Sequence, residues 1–158
     1  MKARWYYGLK AKIKMKEYPR FLDEEINVLM RHLVNEKDKF YLELLNECGD
    51  KKFCRFHLTD EHIYNKRGLY LYALNGRIMY IGRCLDNFAN RFNNNYGMIA
   101  PRNCYKGGQS TNTHINSLVN YYGHNIEIYL CILLKENEII QAEKLLIDNL
   151  NPEWNRRK

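Results

Sequence analysis

Four side chains have the types and spacing to do chemistry together: Tyr70, Tyr80, Arg91 and Glu143. The tyrosines lie in the run Gly68 to Gly82, which reads Gly-Leu-Tyr-Leu-Tyr-Ala-Leu-Asn-Gly-Arg-Ile-Met-Tyr-Ile-Gly. Asn75-Gly76 divides it into two β-rich halves, and this dipeptide favours the left-handed backbone of a tight hairpin turn. With a two-residue loop, Leu74 pairs with Arg77, Tyr70 falls opposite Ile81 and the phenols occupy opposite faces. With a three-residue loop, Leu74-Asn75-Gly76, Ala73 pairs with Arg77 and Tyr70 lies across from Tyr80. The second register is favoured because it sets the phenols side by side. The plainer reading makes both ordinary strand aromatics on a half-buried face.

Arg91 falls in a short helix expected after Asp86, whose carboxylate can cap it and whose Leu85, Phe88, Ala89 and Phe92 form an apolar stripe. Arg91 sits at the stripe's edge, about 60° from Phe88, so its guanidinium can pass the core boundary. Glu143 lies in a helix expected from about Glu138 to Leu150, at the centre of a stripe of Ile139, Ile140, Leu146, Ile147 and Leu150. A carboxylate there needs a positive partner. A divalent cation or an arginine such as Arg91 would serve.

Gly68-Leu69-Tyr70 and Tyr80-Ile81-Gly82 resemble the paired signature of the GIY-YIG nuclease superfamily, with Leu in place of Ile in the first half. Arg91 matches the arginine that follows on a short helix, and Glu143, trailed by Pro152 and Asn155, matches the glutamate of a later helix. The resemblance runs from about Lys66 to Asn155. It implies phosphodiester hydrolysis with one divalent ion, Mg²⁺ or Mn²⁺. Tyr70 would be the general base or its relay, and Tyr80 would orient water or substrate. Arg91 would hold the scissile phosphate, Glu143 would bind the ion, and Asn155 would support the last helix or the metal shell. Arg83 matches a position that is often basic in relatives. A free phenol titrates near ~10, so Tyr70 needs nearby positive charge to act as a base at neutrality.

At 158 residues, 46% of them hydrophobic, the chain is expected to form one domain with a single core. Residues 1–65 are read as a basic strand and helical region packed on that domain, and 66–158 as the nuclease core. No apolar run spans a bilayer and no secretory leader is recognised, which argues against membrane insertion and secretion. Five scattered cysteines fit reduced thiols and a cytoplasmic location. The net charge of +7 favours an anionic partner, and residues 1–20 hold seven Lys or Arg against one Glu. A nucleic-acid backbone fits better than a membrane surface, because no basic amphipathic helix with bulky apolar anchors accompanies the charge.

Leu9 to Lys16 alternates apolar residues with Lys10, Lys12, Lys14 and Lys16. Such a strand can lay lysines along phosphates or guard a sheet edge, and the two readings weigh evenly. Trp5, Tyr6 and Tyr7 before it are core or stack on bases. Helices are expected from about Phe21 to Val34 and from about Glu36 to Asn46. Cys48, Cys54, His57 and His62 have the residue types of a metal site, but the wide gap between the cysteines argues against zinc. Residues 93–113 show no period. Within them Lys106-Gly107-Gly108-Gln109-Ser110-Thr111-Asn112 offers glycines for close backbone approach and two amides, Gln109 and Asn112, able to bond adenine. The plainer reading is a loop with Ser110 or Thr111 capping the next helix. Small restriction enzymes of the superfamily carry a similar stretch. A helix ending at Gly123 and a buried strand from Ile126 to Leu134 complete the chain.

The expected fold is therefore α/β of the α+β kind: a small, mainly antiparallel sheet containing the hairpin, flanked by helices. The resemblance is strongest to small type II restriction endonucleases, which implies sequence-specific cleavage of double-stranded DNA by a homodimer. A homing or mobile-element nuclease, a structure-specific repair nuclease, and a catalytically silent DNA-binding protein are the alternatives.

Overall fold

The computed structural model describes residues 9–11, 13–16, 45–104 and 106–155. The expected helices of residues 21–46, Trp5 to Tyr7 and Lys12 lie outside the described residues, Leu45 and Asn46 excepted. The chain divides into two compact units, residues 1–14, 57–93 and 124–158 forming the first and 15–56 with 94–123 the second. The expected boundary near residue 65 was sequential, whereas this division is discontinuous. Residues 9–11 join the sheet of the first unit, and residues 94–123 fold with the segment around Cys54.

The sheet of the first unit runs β1-β6-β4-β5 and is antiparallel throughout. Its strands are β1 (Leu9–Ala11), β4 (Gly68–Leu74), β5 (Arg77–Cys84) and β6 (Ile126–Ile132). Two short strands, β2 (Ile13–Lys16) and β3 (Arg55–Leu58), precede the hairpin. The expected continuous strand from Leu9 to Lys16 is thus two pieces. Among the described residues β1 borders only β6, and there Lys10 stands across from Tyr129. The last expected strand ends at Ile132, although the Leu133 N–H still donates to the Arg67 carbonyl at 3.1 Å.

The hairpin reaches the expected juxtaposition by another route. Asn75 (φ 51°) and Gly76 (φ 76°) alone form the loop, both left-handed as a primed two-residue turn requires, so Leu74 pairs with Arg77. The three-residue loop is not formed. Instead the register shifts between Tyr72 and Ala73: Ala73 pairs with Ile78, Tyr72 with Tyr80, and Met79 is the extra residue. One added residue reverses the face of everything beyond it. Tyr70 therefore lies opposite Gly82 and shares a face with Tyr80, to which it is diagonal.

α1 (Ser110–Tyr122) belongs to the second unit, and α2 (Glu136–Leu150) to the first. α2 packs Ile139 and, half-buried, Ala142 and Leu146 against Leu69 and Cys131. Leu150, expected in its buried stripe, is exposed. Asn151 ends α2 in the left-handed conformation (φ 44°), which Asn tolerates, and Pro152 prevents continuation. α1 ends as expected at Gly123 (φ 57°).

Candidate active site

In the first unit Tyr70 and Tyr80 lie on one face of the β4–β5 hairpin, Glu143 meets Arg83 on the other, and Arg91 follows shortly after β5. Cross-strand partners share a face, so Tyr70, Tyr72 and Tyr80 stand on one side of the sheet and Leu69 and Arg83 on the other, where α2 packs. The tyrosine face is an aromatic cluster. Tyr70 stacks on Tyr80 at 6.2 Å between ring centroids, meets Phe92 edge-on at 5.2 Å, and lies edge-on to Tyr72. Tyr72, overlooked in the sequence, is completely buried between them. Its position two residues after Tyr70 was the available signal.

Both motif glycines have steric reasons. The phenol of Tyr70 crosses Gly82 so closely that a Cβ there would lie 2.3 Å from both Cζ and the hydroxyl. At Gly68 a Cβ would meet the Cys131 carbonyl oxygen at 1.9 Å, and φ is +148°. The first glycine lets β4 lie against β6, and the second lets the Tyr70 hydroxyl reach the β5 side of the sheet.

On the opposite face, Arg83 Nη1 donates to Glu143 Oε2 at 2.7 Å. The arginine, rather than the expected Arg91, is the direct partner of this carboxylate. Its side chain is 44% exposed against 17% for Glu143. Burial pushes the Glu143 carboxyl above its ordinary range, while the Arg83 and Arg91 charges and the Arg83 main-chain N–H pull it back. Arg91 is thus close enough for its charge to act on Glu143 and on the Cys84 thiol.

Arg91 lies half-buried in a π-helical turn, Ala89–Tyr96, where a regular short helix was expected. Asn87 caps this turn by accepting from the Asn90 N–H at 2.8 Å. Asp86, the expected cap, accepts instead from the Cys84 thiol and the Asn90 amide. The stripe survives as Phe88 and Phe92, both fully buried. Asn155 clamps the outer edge of β5: its Oδ1 accepts from the Ile81 N–H at 2.9 Å and its Nδ2 donates to the Ile81 carbonyl at 2.8 Å. It supports the strand carrying Tyr80 and Gly82 by imitating a neighbouring strand.

Among the described residues no three His, Cys, Asp or Glu gather as metal ligands. The Cys48, Cys54, His57 and His62 set therefore builds no zinc site. Cys48 contacts His114 at 3.9 Å, and burial pushes the Cys54 thiol up to about 12. The lone carboxylate of Glu143 fits a hard cation that keeps most of its waters, such as Mg²⁺, and not one that needs a cage of protein ligands.

The predicted base-reading loop lies in the second unit. Lys106, Gly107, Gly108 and Gln109 are exposed, and Gly107 is left-handed (φ +82°). Lys106 borders a cavity of about 680 Å³ that Glu47 and Asp50 also line. Asn112 does not face solvent: it is 5% exposed and its amide donates to Gln109 Oε1 at 2.6 Å. α1 starts after Gln109 without a side-chain cap, so neither Ser110 nor Thr111 caps it. Lys10, Lys14 and Lys16 lie in β1 and β2.

No family model matches this chain, and no curated protein matches it. Among solved structures it is similar to the GIY-YIG N-terminal endonuclease domain of UvrC from Thermotoga maritima bound to magnesium, with 20% identity, a TM-score of 0.41, 62% of this chain and 100% of that chain covered. A Tyr-to-Phe point mutant of the same domain, bound to its catalytic divalent cation, gives 20% identity, a TM-score of 0.41, and coverage of 63% and 100%. A likeness of this size fixes neither an activity nor a ligand for this chain.

Proposed function

We propose that this chain is a divalent-metal-dependent endodeoxyribonuclease of the GIY-YIG type that works as a sequence-specific type II restriction enzyme. The observation that carries the reading is that β5 bears two of the functions on its two faces, the Tyr70 phenol over Gly82 on one and the Glu143 carboxylate on Arg83 on the other, with Arg91 on the turn that follows the strand. Hydrolysis of a phosphodiester needs a base for water, neutralisation of the phosphoryl oxygens and assistance to the leaving oxygen. A Mg²⁺ or Mn²⁺ ion held by Glu143 would supply charge stabilisation to the phosphoryl group and the leaving 3′ oxygen.

The remaining roles fall to side chains of the chain itself. Arg91 holds the scissile phosphate with a planar donor fork. Tyr70 takes the proton of the attacking water or relays it. Tyr80, stacked on it, orients water or substrate. Arg83, Lys106, Gln109 and the lysines at 10, 12, 14 and 16 contact DNA, with Gln109 offering the amide of the base-reading loop. One hydrolytic centre per chain and two strands of opposite polarity call for a two-fold dimer on a palindromic site. A cytoplasmic enzyme suits five cysteines, none of them in a disulfide.

Incubating supercoiled plasmid with the protein, with and without Mg²⁺, tests this. Discrete Mg²⁺-dependent fragments are expected. A smear removes the sequence specificity, persistent nicking removes the dimer and favours a homing-type enzyme, and uncut plasmid with retained DNA binding leaves a silent binder.

A further inference from the structure

We infer that Arg83 is an exchangeable partner of Glu143: its guanidinium holds the carboxylate until a divalent cation takes that place, and the released guanidinium then turns to the phosphates of bound DNA. This rests on Glu143 being the metal ligand. Glu143 is fixed on α2, 17% exposed, whereas the Arg83 side chain is 44% exposed at the end of β5. The carboxylate is the stationary member of the pair and the guanidinium the one with room to leave.

Without a cation, a half-buried carboxylate needs a positive partner, and Arg83 Nη1 supplies it at 2.7 Å from Oε2. A hard cation bound at that oxygen would repel a guanidinium at the same distance, so the two occupants exclude each other. Departure of Arg83 does not strand Glu143. The cation that displaces the guanidinium becomes the carboxylate's counter-charge. A freed arginine beside the reacting phosphate then has the anionic partner it lost. The device links cation binding to the DNA grip.

Titration of the DNA-free full chain with Mn²⁺ by calorimetry separates the possibilities. Arg83→Gln is expected to tighten Mn²⁺ binding roughly 3–10-fold, the range of a partly exposed ion pair removed from competition together with its charge. Lys144→Gln removes the same charge from an exposed neighbour of Glu143 on α2 and is expected to change affinity less than about 2-fold. Glu143→Gln is expected to lose the site. Unchanged or weaker binding by Arg83→Gln, or equal tightening by Lys144→Gln, overturns the exchange while leaving Glu143 as ligand. Undiminished binding by Glu143→Gln overturns the metal assignment itself and the exchange with it.

DNA binding supplies a second readout. With non-catalytic Ca²⁺ present, Arg83→Gln should flatten the log–log salt dependence by about 1, and without Ca²⁺ by nothing. Equal flattening in both conditions overturns the exchange.

Discussion

The two units of this protein both hold polar side chains away from water, and they do so to opposite effect. In the second, Asn116 is completely buried and meets only backbone: its Oδ1 accepts from the Cys54 N–H, and its Nδ2 donates to the carbonyls of Cys54 and Tyr96. Asn103 likewise accepts from the Ala100 N–H, and Asn112 donates to Gln109. These amides match neutral donors to neutral acceptors, so they fix backbone geometry and leave no charge to offer a ligand. In the first unit one polar group is different: the Glu143 carboxylate, largely shielded, is balanced by an arginine with access to solvent. Satisfied neutral networks build scaffold; a charge held beside an exposed counter-charge remains available for exchange.

Substitutions can break this contrast. The largest expected effect is on cleavage, where Arg91→Ala should lower the single-turnover rate about 10²–10³-fold while the melting temperature moves little, the scale of losing a charged donor to a transition state. An equal loss of melting temperature would make Arg91 scaffold. Asn116→Ala should do the reverse. It strands one N–H and two carbonyls, and chemical denaturation should show a loss of about 2–3 kcal/mol with cleavage by the folded protein preserved.

Gly82→Ala joins the two behaviours. The new Cβ forces the Tyr70 phenol away, so a stability loss of about 1–3 kcal/mol is expected together with a fall in cleavage. Loss of stability alone would place the Tyr70 hydroxyl outside the reaction. The smallest effect is expected from Asn112→Ala, about 1 kcal/mol with the fragment pattern of digested DNA unchanged, since its amide serves Gln109. An altered pattern would restore Asn112 as a base reader.

Local signals carried much of this site. Asn75-Gly76 set the turn, strand alternation set the faces, and the apolar stripe around Glu143 marked a carboxylate that had to be answered. The bulge at Met79 was not legible, because no residue type there demands an extra position; it arises from fitting Tyr72 to Tyr80 within the sheet. The preference for a three-residue loop thus reached the correct face through the wrong turn. Arg83 as the partner of Glu143 was equally hidden, since α2 and β5 are distant in sequence and only packing decides which arginine arrives. For the same reason Asn112 looked like a base-reading amide: in sequence a solvent-facing amide and one bonded to its neighbour are identical.

The proposed hydrolysis of DNA depends on a cation held by Glu143. Its most direct test compares wild type with Glu143→Gln on a short duplex at saturating protein, with DNA binding measured in parallel. The amide is isosteric and a poor ligand for a hard cation, so Mg²⁺-dependent cleavage should fall by at least about 10³-fold while duplex binding is retained. Cleavage by Glu143→Gln at the wild-type rate would remove Glu143, and the cation on it, from the reaction.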